Sequence, residues 1–448
     1  YELYESEKTF EITPRTVTLT FTGGSGDQSG YRYTSVYGSV TPASVIADGL
    51  QYSDTRDDLG VTYTYSGTTA GGDSYNETTA PGNAGSYTVT VTITNPNYTL
   101  GSAGYSASFT VSKKMLDVTV GDEEITYGEG APAYTLSYSG GWVNGDGASV
   151  VDTSGAAYSY KYNDTDVTYN AGSDAGKYLV TVSRLKADNY DFVCEEAGTL
   201  TVNRRQINLT VTASGKTYDG SAVNVTVSPD NAFGGDTINY AYTYTYNGSS
   251  SDLSGASAAK NAGSYTVTVT LGNGGDTANY VLVAEDGYSA NFVISQRALT
   301  ATFDKEAYEI TYGAADPDTG SIYGITYSGW ADGENESLVT SVVYDTERDG
   351  ADYAPGAEHG SAGGYTVTAT ISGDLSNYSV NGGTNTATGS LTVRKKALTL
   401  TVTAEGKEYD GTAVNVDVSE TGLYGTDSVS YSFDYTYNGS PSELSGAS

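Results

Sequence analysis

The residues of this chain that could do chemistry are few in kind. His359 is the single histidine and Cys194 the single cysteine among 448 residues. A multi-histidine metal site therefore cannot be built, and a histidine-based triad could occur at most once. His359 lies in the Gly-rich stretch APGAEHGSAGGY, where a solvated loop residue is expected. Cys194, in YDFVCEE, is expected on the strand face shared by Tyr190 and Phe192, buried and inert; being alone, it forbids an intrachain disulfide. Acidic side chains number 54, so a glycosidase-like carboxylate pair could be drawn in many places. None is set apart from the rest, no catalytic residue is assigned, and a non-enzymatic chain is expected. Hard oxygen ligands for calcium are better represented. Asp164 with Asp166 and Asp316 with Asp318 are the candidates, beside Asp122–Glu124 and the SDTRDD stretch from Ser53, all in turn-like segments. None follows the ligand order of an EF-hand loop, and no other cofactor is expected.

The aromatic residues suggest a second kind of site. In INYAYTYTYNG, Ile238, Tyr240, Tyr242, Tyr244 and Tyr246 share one strand face, and a flat aromatic row could stack on sugars. In VSYSFDYTYNG, Val429, Tyr431, Phe433, Tyr435 and Tyr437 share a face while the opposite face is polar. The aromatic face is then the one that must pack, and core is expected over glycan platform. Trp142 and Trp330 recur beside Gly-rich turns, where a plug at a domain end is expected, with packing between domains as the intermediate option.

The elements that must position these residues follow from composition and repetition. Formal charge is −33, from 21 basic and 54 acidic residues, which repels nucleic acid and anionic bilayers. No run of 18 apolar residues is present, so direct membrane insertion is not expected. With 42 Tyr and 56 Gly, the chain reads as strands joined by tight turns. Strands with one layout begin at Phe10, Phe109, Leu200, Phe292 and Leu391, 91 to 99 residues apart. Each interval is about the size of one β-sandwich domain, roughly 100 residues.

Within the intervals the grammar repeats. An Ala-Gly-x-Tyr turn opens an alternating strand at Gly85 and Tyr87, Gly176 and Tyr178, Gly263 and Tyr265, and Gly363 and Tyr365. An Asn-Tyr pair follows each, at Tyr98, Tyr190, Tyr280 and Tyr378, where a hairpin partner is expected to begin. Unit openings carry Tyr-Gly at Tyr127-Gly128 and Tyr312-Gly313, with a degenerate copy at Tyr37. Others carry Tyr-Asp-Gly at Tyr218-Asp219-Gly220 and Tyr409-Asp410-Gly411. Gly gives a turn access to positive φ.

At these residues the chain resembles the YG-type MBG and the YDG domains that recur in large bacterial surface proteins and adhesins. The resemblance implies a secreted, cell-surface repeat region with no catalytic residues to carry over. The expected division is 1–14, the end of a preceding repeat; 15–112, a degenerate YG-type repeat; 113–203, YG-type; 204–296, YDG-type; 297–394, YG-type; and 395–448, a truncated YDG-type repeat. The expected fold is all-β, tandem immunoglobulin-like sandwiches in an elongated rod, with a β-grasp-like unit as the alternative because VNGDGASVVD could begin a helix. At roughly 35 to 45 Å per sandwich, five units in line would reach about 170 to 220 Å. The expected function is a stalk or spacer that holds a terminal domain away from the cell. The alternative is an adhesin whose repeats themselves bind host or environmental glycans or proteins.

Nine of the 21 basic residues sit where one repeat runs into the next: Arg15, Lys113, Lys114, Arg204, Arg205, Arg297, Arg394, Lys395 and Lys396. No Pro-rich or Gly/Ser-rich linker intervenes, so stiff junctions are expected, with these cations reaching acidic loops of the neighbouring repeat.

Overall fold

The computed structural model describes residues 1–2, 7–22, 32–101, 105–319, 322–356 and 360–442. The chain is all-β. Among the described residues the only helical elements are 3-10 turns of three or four residues, such as Arg56–Leu59 and Ala148–Val150. VNGDGASVVD makes that second short turn and no more, because Gly147 before it and Val151 after it are both extended. The β-grasp alternative, which needs a packed helix, is thereby set aside.

In residues 15–112 the strands are β1 (Arg15–Thr22), β2 (Arg32–Val36), β3 (Ser44–Asp48), β4 (Thr62–Thr69), β5 (Ser74–Glu77), β6 (Gly85–Thr92), β7 (Tyr98–Leu100) and β8 (Tyr105–Ser112). They form a three-stranded sheet β3-β1-β7 and a five-stranded sheet β2-β8-β6-β4-β5. β1 runs parallel to β7 and β2 parallel to β8; the other pairings are antiparallel. Residues 113–203 repeat this order with β9 (Lys114–Val120), β10 (Glu123–Thr126), β11 (Leu136–Ser139), β12 (Ala157–Tyr162), β13 (Thr165–Val167), β14 (Gly176–Ser183), β15 (Tyr190–Val193) and β16 (Gly198–Asn203), as sheets β11-β9-β15 and β10-β16-β14-β12-β13. Residues 297–394 do so again.

Alternation explains which face is buried. Along β6, Tyr87, Val89 and Val91 are buried while the intervening Ser and Thr face outward. Val17, Leu19, Val45 and Tyr98 of the three-stranded sheet close on Val91 of the other, making a two-sheet sandwich of immunoglobulin-like architecture. Each such fully buried Val or Leu stabilises the fold by about 1.5 to 3 kcal/mol relative to exposure.

Two expectations about strands need correction. The segment opened by Asn-Tyr does not form a hairpin with the strand before it. β7 crosses to the other sheet and pairs with β1 in parallel register, Arg15 opposite Tyr98, and β15 pairs likewise with β9. Alternation alone cannot tell a hairpin from a crossover, because both present the same period. Residues 7–14 carry no strand pairing, since a strand needs a neighbour for its backbone groups.

The described chain falls into two compact units. One comprises Tyr1–Ile207, Asn231–Ile238 and Gly274–Val281, the other Asn208–Asp230, Asn239–Asn273 and Leu282–Ser448. The first holds the sandwiches of residues 15–112 and 113–203. In the second lie the sandwich of 297–394, the five-stranded sheet running from Lys216–Thr217 to Ser249–Ser251, and the hairpins Thr399–Ala404 with Val416–Thr421 and Tyr435–Tyr437 with Ser440–Ser442.

Candidate functional site: tyrosine pairs on a shared carboxylate

The repeated motifs converge where one repeat meets the next. In the second repeat the turn Val143–Asp146 is closed by the Asp146 N–H on the Val143 carbonyl at 3.0 Å. Tyr190, which opens β15, donates its hydroxyl to Asp146 Oδ2 at 2.9 Å and accepts the Val143 N–H at 3.1 Å. Tyr37, on the Tyr-Gly turn of the preceding repeat, donates to the same Oδ2 at 2.8 Å. The two rings meet edge to face at 5.3 Å, and Trp142 packs on Tyr190 at 5.0 Å.

The next joint repeats the arrangement. Tyr280 donates to Asp236 Oδ2 at 2.5 Å and accepts the Phe233 N–H at 2.9 Å, while Tyr127 donates to the same oxygen at 2.9 Å. In the fourth repeat Tyr218 and Tyr378 donate to the two oxygens of Glu334, and Tyr378 accepts the Ala331 N–H at 2.9 Å. Trp330 packs on Tyr378 at 5.1 Å. At the last joint Tyr312 meets the Tyr424 ring at 6.0 Å, and Asp427 beside it pushes the phenol up. Trp142 and Trp330 thus pack on the joint tyrosine of their own repeat, each beside Tyr138 or Tyr327 of that same repeat.

A second contact accompanies the first. Asn189, Asn279 and Asn377, each just before its Asn-Tyr tyrosine, accept the backbone N–H of Ala84, Ala175 and Ala262 at 2.9, 2.8 and 2.8 Å. These alanines belong to the Ala-Gly turns of the preceding repeat. The turn is held by its own tyrosine: Tyr87, Tyr178, Tyr265 and Tyr365 each donate to the carbonyl four residues upstream, at 2.7 to 2.9 Å. That local bond is of the tyrosine-corner kind.

Glycine is required where the Tyr-Gly turn is approached. Gly38 and Gly128 have φ of 83° and 95°. A Cβ there would lie 2.8 Å from Val143 and 2.8 Å from Phe233 respectively. The residues it would strike are the same ones whose N–H groups bind the tyrosines.

Burial and the shared acid push these phenols upward. Tyr218 and Tyr280 are raised to about 12, burial being the larger cause and the carboxylate the next. Tyr37, Tyr127, Tyr190 and Tyr378 shift the same way for the same reasons. The phenols therefore stay neutral donors, and each joint carboxylate receives charge-assisted hydrogen bonds without a cation.

This corrects the reading of the junction cations. Among the described residues the ion pairs all lie inside single repeats, as in Arg394 with Glu309 and Lys113 with Asp191. Arg15, Arg205 and Arg297 instead donate through Nε to the carbonyls of Gly49, Asn231 and Gly329, at 2.7, 2.8 and 2.6 Å. Arg205 also reaches the Tyr127 carbonyl at 3.0 Å. A planar guanidinium satisfies these loop carbonyls, and the acids are already taken by phenols.

The Asp of Tyr-Asp-Gly does different work. Asp219 accepts Lys216 Nζ at 2.6 Å and the Ser221 N–H at 2.9 Å, which lowers it to about 2, the lysine contact being the largest cause. Asp410 binds Lys407 and Thr412 in the same way. It braces its own loop, and the tyrosine beside it carries the joint. Tyr218 is 5% exposed, whereas Tyr409 is 98% exposed.

The calcium candidates do not assemble into one site. Asp164 is exposed at φ 60°, in a two-residue turn with Asn163 that joins β12 to β13. Asp166 faces Lys161 at 3.9 Å. Asp318 is partly buried and accepts the N–H and hydroxyl of Thr346, while Asp316 accepts the Asp318 N–H at 2.9 Å. Among the described residues, a group not anticipated, Asp345, Glu347 and Asp352, brings carboxylate oxygens within 4.8 Å of one another. Cys194 is half-buried, because β15 ends at Val193 and the thiol turns to the Glu196 carbonyl; the expectation of a buried core cysteine was wrong. His359 lies outside the described residues. The Tyr240 to Tyr246 row alternates with exposed residues and faces inward, Tyr244 being buried. In the second such row only Tyr435–Tyr437 forms a strand.

As joint acids, Asp146, Asp236 and Glu334 escaped the sequence reading, and Asp54 entered it only within SDTRDD, as a calcium candidate. A signal was present: each stands 44 residues before its Asn-Tyr tyrosine.

Residues 116–201 match the model of the MBG domain, YGX type. No curated protein matches the chain. Among solved structures, the three N-terminal domains of the bacteriophage RB49 highly immunogenic outer capsid protein align at 14% identity over 63% of this chain and 99% of that one, with a TM-score of 0.21. The first three fibronectin domains of chicken CNTN1 align at 11% identity over 63% and 100%, with a TM-score of 0.16. Drosophila OTK extracellular domains 3–5 align at 11% over 48% and 76%, with a TM-score of 0.16. The segment 116–201 thus resembles the MBG domain of the YGX type.

Proposed function

We propose that this chain is a spacer region of an extracellular, cell-surface protein, built from tandem MBG- and YDG-type repeats whose joints fix the angle between neighbours. The observation that carries the reading is the joint itself. Three times a carboxylate of one repeat takes phenols from both repeats, and three times an asparagine of one takes an alanine N–H of the other. A chain selected only for flexible tethering has no use for such joints. The tyrosine row that could have stacked on sugars is turned into the core instead, and no helix among the described residues is long and apolar enough to cross a membrane.

Small-angle X-ray scattering of the whole chain tests this. Stiff joints should give a maximum dimension near the roughly 170 to 220 Å expected from strand rise and five repeats. Replacing Asp146, Asp236 and Glu334 together with Ala should broaden the distance distribution. A compact particle, unchanged by these substitutions, would count against the spacer.

A further inference from the structure

The first repeat carries the same acid-and-phenol turn at its own leading end. The Asp54 N–H closes onto the Gln51 carbonyl at 3.2 Å. Tyr98 donates to Asp54 Oδ2 at 2.6 Å and accepts the Gln51 N–H at 3.2 Å, and Arg15 clamps the loop at Gly49. The sequence separations, 44 and 47, equal those at the joints below. Three features differ. Among the described residues Asp54 receives one phenol, where Asp146, Asp236 and Glu334 each receive two. Asn97 is exposed, where Asn189, Asn279 and Asn377 each hold an alanine N–H. Tyr52, at φ 53°, is fully exposed at the position where Asn144 of the second repeat, at φ 57°, stands near the Tyr37 hydroxyl of the first. A cleft of about 350 Å³, lined by Ile12, Pro14, Gln51, Tyr52, Asp54 and Asn97, opens over the turn.

We infer that this face is a docking site for another β repeat of the same kind, which inserts its Tyr-Gly or Tyr-Asp-Gly turn. The incoming phenol becomes the second donor to Asp54, its ring lies against Tyr98 and Tyr52, and an Ala-Gly turn of the same partner gives its N–H to Asn97. Asp54 and Asn97 stand at the same separation along the sequence as the acid and asparagine of the three joints, so a free phenol or a lone peptide turn would engage half the site. A neutral phenol also avoids the repulsion that a chain of charge −33 exerts on acidic partners. The inference rests on the joint reading above and extends it to a face that reading does not cover.

The test appends a copy of residues 204–296 directly ahead of Arg15, in place of residues 1–14, in the otherwise complete chain with Cys194→Ser. Spin labels on the appended repeat and on the first repeat report the new joint by pulsed electron paramagnetic resonance. A second pair reports the native joint between the third and fourth repeats, and a third pair inside the appended copy reports its folding. If that copy does not fold, residues 297–394 serve in its place. We expect a distance distribution as narrow as that of the native joint, broadened at least twofold by Asp54→Ala and less by Asp54→Asn. A broad new joint beside a narrow native one would overturn the docking site, as would a narrow one indifferent to both Asp54→Ala and Asn97→Ala. Breadth at both joints would instead overturn the joint reading itself.

Discussion

A carboxylate that accepts two phenols solves a solvation problem that a salt bridge would make worse. An ion pair at a half-buried joint requires two charges to be stripped of water, whereas here one charge is stripped and is met by neutral donors. Asp146→Ala leaves the hydroxyls of Tyr37 and Tyr190 without their acceptor, a loss of about 1 to 3 kcal/mol at that joint. Hydrogen exchange of the Val143 amide should accelerate accordingly. Asp146→Asn keeps an acceptor oxygen and should lose less. The phenols also set a pH limit. Because Tyr218 and Tyr280 are raised to about 12 in the folded chain from an ordinary value near 10, their stabilisation is complete below pH about 10 and is lost as pH rises through about 12. Tyrosinate absorbance during an alkaline titration should show these phenols ionising late, together with other buried tyrosines such as Tyr178 and Tyr265, and Asp236→Ala and Glu334→Ala should bring Tyr280 and Tyr218 back toward 10.

At the scale of the element, the Tyr-Gly turn was legible in the sequence as a turn, and the Ala-Gly-x-Tyr strand as a strand, because both are local. Gly85, Gly176, Gly263 and Gly363 each begin a strand. The partners of these turns were not legible, since Tyr37 and Asp146 are 109 residues apart and the acid is one of 54. Its type also varies between Asp and Glu, so identity gives no cue; only the constant separation from the Asn-Tyr tyrosine does. The route of β7 into the other sheet was hidden for a related reason: period-2 patterning reports which side chains are inward, and is silent on which strand lies alongside. Gly128→Ala tests whether the turn is matched to its neighbour. At φ 95° with Phe233 close by, an added methyl should cost more than about 1 kcal/mol. The effect should appear as lost protection at Phe233, with the strand β14 unaffected.

For the whole molecule, the joints matter more than any single sandwich, because the same contact set recurs within each of the two compact units. Composition had indicated strands, turns and repetition, and had pointed to the junctions through their arginines and lysines. The side-chain contacts between repeats are made there by tyrosine, asparagine and acid instead, with arginine bracing carbonyls. The most direct test places spin labels at Thr64 and Ser159, exposed positions on the first and second repeats, in the full chain with Cys194→Ser. Pulsed electron paramagnetic resonance should give one narrow distance distribution, and Asp146→Ala should broaden it without altering distances inside either repeat. A distribution already broad with Asp146 in place, or one that stays narrow after Asp146→Ala and Asn189→Ala together, would contradict the account.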